Sequence, residues 1–192
     1  MQVVILAGGY GSRISEYTKL IPKPMIKINK RPIISHIIDI YKKYGLSEFI
    51  IATGYKGKII QNFFKKSKIN VICVDTGKDV MTGGRLKRLE KLINGTFMLT
   101  YGDGLSNVNI SKLMKFHKNG KQICTVTAVR PPARFGEILF GKNSLVKKFK
   151  EKPQTNNSWI NGGFFVMEQS IFRYLKNDLS ILEQQPLENL AK

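Results

Sequence analysis

Gln2-Val3-Val4-Ile5-Leu6-Ala7-Gly8-Gly9-Tyr10-Gly11-Ser12-Arg13 opens the chain after its first methionine. Residues 2–6 form a short β-branched, apolar run that glycine ends at once, which predicts a buried central strand. Working outward, 48–53 (EFIIAT), 70–75 (NVICVD), 96–101 (TFMLTY) and 122–130 have the same character. The segments between them are helical in pattern. Pro32 opens one in which Ile33, Ile37, Ile38, Tyr41 and Tyr44 recur at helical spacing, and Gly45 stops it. Further helices are expected over 58–66, 85–93 and 110–118. Unbroken apolar strands alternating with helices mean a mostly parallel sheet with helices on both faces, a Rossmann-like α/β fold. Beyond it, 136–140, 145–150 and 160–167 are three expected strands of a smaller β-rich part. Two short helices follow, around 169–176 and 181–190. No internal repeat, low-complexity tract or linker interrupts the chain.

Composition narrows the classes. The chain has 192 residues, enough to bury a core without disulfides or a structural metal. At 42% hydrophobic residues it is too apolar to be disordered, despite 32 Lys+Arg against 13 Asp+Glu and a net charge of +19. No apolar run approaches the ~20 residues that cross a bilayer. No basic leader precedes the first apolar residues, so a soluble cytoplasmic protein without a membrane is expected. Cys73 and Cys124 are too few for a disulfide framework, and each sits in an apolar stretch as a buried small thiol would. The basic residues are scattered lysines rather than one block. That favours solvated faces, or a field attracting anionic phosphates, over a nucleic-acid partner.

The glycine loop lies where open α/β sheets bind ligands, beyond the carboxyl end of a strand. Its glycines allow the backbone to approach a phosphate closely, and Arg13 adds a five-donor cation. The spacing fits neither the dinucleotide fingerprint nor a Walker loop: Ile14 stands at the third glycine position, and no Gly-Lys-Ser/Thr follows. Either it is a phosphate loop of another kind, or it is only a strand-to-helix turn. Pro22 and Pro24 predict that Lys23 is held in an extended, stiff segment, suited to docking on an anion or simply a loop. Asp103 between Gly102 and Gly104 is either an Asp-Gly turn or an exposed ligand for Mg²⁺. His36 and His117 fall on helical stretches and are expected to be structural.

Taken in order, these stretches resemble the sugar-nucleotide nucleotidyltransferases, and among them the glucose-1-phosphate cytidylyltransferases. The resemblance rests on the residues from Leu6 to Arg13, on Pro22-Lys23-Pro24-Met25, on Gly54-Tyr55-Lys56-Gly57 and on Asp75-Thr76-Gly77. It continues through Met81-Thr82-Gly83-Gly84-Arg85-Leu86-Lys87-Arg88, Tyr101-Gly102-Asp103-Gly104, Pro131-Pro132-Ala133-Arg134-Phe135-Gly136, Glu151-Lys152-Pro153 and Trp159-Ile160-Asn161-Gly162-Gly163-Phe164-Phe165. It implies one nucleotidyltransferase domain over 1–192, of the nucleotide-diphospho-sugar transferase fold, with the β-rich part binding the sugar. It also implies transfer of a cytidylyl group from CTP to glucose 1-phosphate, giving CDP-glucose and pyrophosphate with Mg²⁺, in polysaccharide biosynthesis. Leu6, Ala7, Gly8, Gly9, Gly11, Ser12 and Arg13 would hold the nucleotide, with Thr82, Gly83 and Arg85 at the base and Gly102 at the ribose. Lys23 would neutralise the triphosphate and Asp103 would carry the metal. Glu151, Lys152, Asn161 and Gly162 would meet the sugar phosphate. Arg13, Lys23, Asp103 and Lys152 are the expected catalytic groups.

Two departures accompany the resemblance. The stretch from Phe64 to Val71 is short where the family carries a longer excursion, so a homo-oligomer or part of a lid need not transfer. The family's further segment, with a Trp-Gln-Pro-Met-Asp-Thr type motif and a second metal-ligand aspartate, has no counterpart before Lys192. Rival expectations are therefore a related transferase using UTP or dTTP, and a nucleotide-binding homologue with impaired catalysis.

Overall fold

The computed structural model describes residues 1–12, 15–133, 135–152 and 158–191. In chain order the elements are β1 (Gln2–Leu6), α1 (Ser15–Thr18), β2 (Lys27–Ile28), β3 (Arg31–Pro32), α2 (Ile33–Lys42), β4 (Glu48–Thr53), α3 (Gly57–Lys65) and β5 (Val71–Asp75). There follow α4 (Thr82–Lys87), β6 (Phe97–Tyr101), α5 (Ile110–Gly120), β7 (Cys124–Val129), β8 (Glu137–Phe140), β9 (Val146–Lys150), β10 (Ile160–Met167) and α6 (Gln185–Leu190). The main sheet has the order β5-β4-β1-β6-β10-β7. β1 pairs in parallel with both β4 and β6, β4 pairs in parallel with β5, and β10 runs antiparallel to β6.

Two compact units make up the chain. Met1–Thr125 with Gly163–Lys192 forms the first, and Val126–Gly162 the second.

The first unit has two cores because its strands carry apolar residues on both faces. Val3, Ile5, Phe49, Ile51, Met98, Phe164 and Val166 point to one face, where they meet Ile34, Ile37, Ile38 and Tyr41 of α2, Ile60 and Phe64 of α3, and Ile110 of α5. Val4, Leu6, Ile50, Ala52, Phe97, Leu99, Phe165 and Met167 point to the other. There they meet Leu86 of α4 with Leu89, Ile93, Ile171, Phe172, Leu175 and Leu182. Strand periodicity of two divides each apolar run between the faces, and both are covered.

Several elements differ from expectation. The helix expected over 85–93 begins earlier and ends sooner, as α4, followed by a 3₁₀ turn at Glu90–Leu92. Residues 169–176 hold a 3₁₀ turn, Gln169–Tyr174, and the last helix starts only at Gln185, with Pro186 in its first turn. Short segments such as these gain little from helical hydrogen bonding, so tertiary contacts decide their form. Lys23 is not extended: Lys23–Met25 is a 3₁₀ turn entered from an extended Pro22. Pro24 sits in its first turn, where the missing N–H is no loss. Cys73 and Cys124 are half-buried rather than buried, and burial pushes their thiols up to about 11 and about 12.

In the second unit β8 and β9 form an antiparallel hairpin with an irregularity between Leu139 and Phe140. The Arg130 guanidinium stacks 4.6 Å from the centre of the Trp159 ring.

Candidate active site

The carboxyl ends of β1, β4, β5 and β6 share one edge because the four strands are parallel and in register. Backbone bonds tie these ends together. Ala7 N–H donates to Ala52 O (2.9 Å), Tyr55 N–H to Gly8 O (3.1 Å), Thr76 N–H to Thr53 O (2.9 Å) and Gly102 N–H to Leu6 O (2.8 Å). The glycine loop, the Tyr55 turn, the Thr76 turn and the Gly102-Asp103 turn therefore form one platform.

Arg85 lies beneath that platform. Although charged, it is only 4% exposed. Its Nη1 donates to Gly77 O (2.6 Å), Thr76 Oγ1 (2.9 Å) and Thr53 O (3.3 Å), and its Nη2 to Lys78 O (3.0 Å). Burial pulls its pKa below the usual guanidinium value, with Asp75 opposing. A Cβ on Gly8 would lie 2.2 Å from Arg85 Nη1, and one on Gly54 would lie 2.4 Å away. These two glycines let the guanidinium pass under the loop, so Arg85 acts as a strut joining three strand ends.

Lys23 and Asp103 face each other at the open edge. Lys23 Nζ stands 2.5 Å from Asp103 Oδ2, with the two side chains 32% and 36% exposed. The 3₁₀ turn that carries Lys23 is wedged between loop and strand. A Cβ on Gly11, which has φ +66°, would lie 3.3 Å from Lys23 Cβ, and one on Gly102 would lie 2.9 Å from Pro24 Cγ. By contrast, a Cβ on Gly9 or Gly104 would meet nothing within 4 Å. Protein packing does not demand glycine at those two positions, and its absence of a side chain leaves room beside the loop and beside Asp103.

The donor set suits a hard cation that shares its shell with a ligand. Asp103 supplies one exposed carboxylate beside open space, and among the described residues no group of three His, Cys, Asp or Glu could form a cage. Mg²⁺ is commonly held this way, by one or two carboxylates with substrate phosphates and water.

The Nucleotidyl transferase family profile matches residues 2–190. The chain belongs to that family. This nucleotidyl transferase is 39% identical over 218 aligned positions to glucose-1-phosphate cytidylyltransferase of Salmonella typhimurium, covering 100% of this chain and 84% of that protein. It is 38% identical over 217 positions to the probable glucose-1-phosphate cytidylyltransferase of Bacillus subtilis, covering 100% and 85%. To D-glycero-alpha-D-manno-heptose 1-phosphate guanylyltransferase of Campylobacter jejuni it is 32% identical over 195 positions, covering 100% and 85%. Among solved structures, HddC from Yersinia pseudotuberculosis complexed with GMP-PN superposes with a TM-score of 0.75 at 24% identity. That match covers 95% of this chain and 83% of that one, and it shares the fold. The enzyme is thus a nucleotidyltransferase, similar over its whole length to glucose-1-phosphate cytidylyltransferases.

Of the expected nucleotide residues, Leu6, Ala7, Gly8, Gly9, Gly11 and Ser12 lie on the platform with Lys23, Gly102 and Asp103. Arg13 lies outside the described residues, as do Arg134 and Pro153. Gly83 and Gly84 admit another segment. A Cβ on Gly83 would lie 2.8 Å from Ser180 O and one on Gly84 2.3 Å from Asp178 O, while Gly84 N–H donates to Ser180 O. In the second unit, Glu151 and Lys152 are exposed neighbours 3.8 Å apart, with Lys152 at φ +41°. Asn161 is exposed on β10, and a Cβ on Gly162 would approach Thr127 O to 2.8 Å. His36 Nε2 is 3.0 Å from Ile28 O, whereas His117 is buried between Thr125 Oγ1 (2.8 Å) and Glu168 Oε1 (3.0 Å). Both brace the fold.

Sequence reasoning missed Glu183. Its Oε2 accepts from Thr82 Oγ1 (2.6 Å) and its Oε1 from the Tyr101 hydroxyl (2.5 Å), while Leu182 N–H donates to Thr82 Oγ1 (2.9 Å). Arg88 meanwhile grips Asp178 through Nε (2.8 Å) and Nη2 (2.6 Å). Residues 178–183 are thereby strapped across α4 and the end of β6. No local signal marks this: Glu183 reaches partners more than 80 residues away in the chain. Tyr10 was also passed over. Its hydroxyl donates to Asp79 (2.6 Å) and its ring lies 5.0 Å from that of Tyr55, linking the glycine loop to its neighbours.

Proposed function

We propose that the chain transfers the cytidylyl group of CTP to glucose 1-phosphate, giving CDP-glucose and pyrophosphate. The reading is carried by one juxtaposition: an open glycine loop and the Lys23–Asp103 pair on one sheet edge. The full-length similarity to cytidylyltransferases supports the choice of base and sugar.

In this reading an oxygen of the sugar phosphate attacks the α-phosphorus of CTP in line, and the bond to the bridging oxygen of the leaving pyrophosphate breaks. The nucleophile is already ionised at neutral pH, so the site requires no general base. What it must do is bring two polyanions together and hold them aligned. The glycine loop presents backbone N–H groups to the nucleotide, with Arg85 fixing the platform from below. Lys23 neutralises triphosphate charge, and Lys152 is the cation proposed for the sugar phosphate. Asp103 would hold Mg²⁺, which when bound supplies Lewis-acid charge to phosphate oxygens.

The test is pyrophosphate release by the 192-residue chain with CTP, glucose 1-phosphate and Mg²⁺, with UTP and dTTP in parallel. Release that needs both substrates, favours CTP and is lost in Asp103→Asn supports the proposal. Preference for UTP or dTTP overturns the base assignment, and CTP binding without release overturns the catalytic one.

A further inference from the structure

Lys23 and Asp103 are each expected to serve a different partner, a triphosphate and a divalent cation, yet they are bound to one another at 2.5 Å. The wedged 3₁₀ turn holds the stem of Lys23 beside Gly11 of the glycine loop, while its ammonium lies on the Asp103 carboxylate. A dication approaching Asp103 by itself must displace this ammonium or bind beside its positive charge. No cage of further protein carboxylates compensates among the described residues. A triphosphate changes both conditions: its oxygens attract Lys23 away and also supply ligands to the cation.

We propose that Lys23 has a second role as the resident counter-ion of Asp103, so that the divalent cation is taken up with the nucleoside triphosphate and not by the protein alone. This rests on reading the platform as a nucleoside-triphosphate site. Cation and triphosphate are then positively coupled, and by linkage each raises the affinity of the other by the same factor.

The decisive measurement is Mn²⁺ binding to the nucleotide-free full chain by electron paramagnetic resonance. Lys23→Met, which keeps the aliphatic stem, is expected to raise Mn²⁺ affinity about three- to tenfold, from loss of a half-exposed pair and of its repulsion. Lys23→Gln should move it in the same direction. Lys27→Met removes equal charge from an exposed position on β2 and should change affinity less than about twofold. Adding Asp103→Asn to Lys23→Met should cancel the gain. Unchanged or weaker Mn²⁺ binding in both Lys23 variants, or an equal gain in Lys27→Met, overturns the proposal. CTP binding in EDTA, by equilibrium dialysis, is the separate check on the site itself. No CTP binding by the wild-type chain defeats the nucleotide reading, and the Mn²⁺ result still reports on the ion pair.

Discussion

Arg85 and Gly8 should be energetically inseparable. Placing alanine at Gly8 puts a carbon 2.2 Å from Arg85 Nη1, 2.5 Å from Cζ and 2.9 Å from Nε. A flexible side chain would simply swing aside, but this one is 4% exposed and donates four hydrogen bonds. To yield, it must give up charge-assisted bonds worth about 1.5–3 kcal/mol each, which sets the cost of Gly8→Ala at about 2–4 kcal/mol. Arg85→Ala removes the strut and leaves Gly77 O, Thr76 Oγ1 and Lys78 O without their donor, a loss of about 3–5 kcal/mol. In the double variant the new methyl group enters the space the guanidinium vacated. Its stability should match Arg85→Ala within about 1 kcal/mol, giving an interaction energy of about 2 kcal/mol. Urea unfolding followed by far-UV circular dichroism measures all four corners, since the one tryptophan, Trp159, lies in the second unit. Costs that add within about 0.5 kcal/mol would refute the strut.

Other outcomes follow from the same geometry. Arg88 holds the Asp178 carboxyl below its ordinary value of 3.8 by hydrogen bonding. A depressed carboxylate stabilises the fold above its unfolded pKa and loses that contribution as pH falls through the folded value. Hydrogen-exchange protection over 178–183, taken relative to the intrinsic exchange rate at each pH, should therefore fall as pH drops below about 3.8, and Asp178→Asn should remove that dependence. The bond Tyr10 donates to Asp79, with a smaller push from burial, raises the Tyr10 phenol above 10.0. Its ultraviolet titration, isolated by difference from Tyr10→Phe, should move back down in Asp79→Asn, and no movement would show the bond to be absent in solution. With thiols near 11 and 12, Cys73 and Cys124 should react with Ellman's reagent at pH 8 about a hundredfold or more slower than in the unfolded chain. Labelling of either within seconds would contradict their burial.

The strands and the edge they share were legible because each apolar run can be satisfied only by burial on both faces. The glycine loop and Asp103 followed from their position at strand ends. Lys23 was marked by its prolines, although their effect was misread: they admit a 3₁₀ turn, not an extended segment. Arg85 was expected, from the resemblance alone, beside the base of the nucleotide, and only the fold shows it buried under the loop. Glu183 was invisible, because nothing near it in the chain distinguishes it from any glutamate in a polar stretch.

Local chain chemistry thus determined what kind of protein this is. Apolar periodicity specifies a two-faced parallel sheet, and glycines at strand ends mark the sheet edge where backbone is left open. The partners of its charged groups were decided by tertiary structure alone. An ion pair such as Lys23 with Asp103, or a carboxylate shared by Thr82 and Tyr101, joins residues far apart in the chain. Charge attracts at distances of a few ångströms in space, and residue order carries no record of which side chains folding will bring that close.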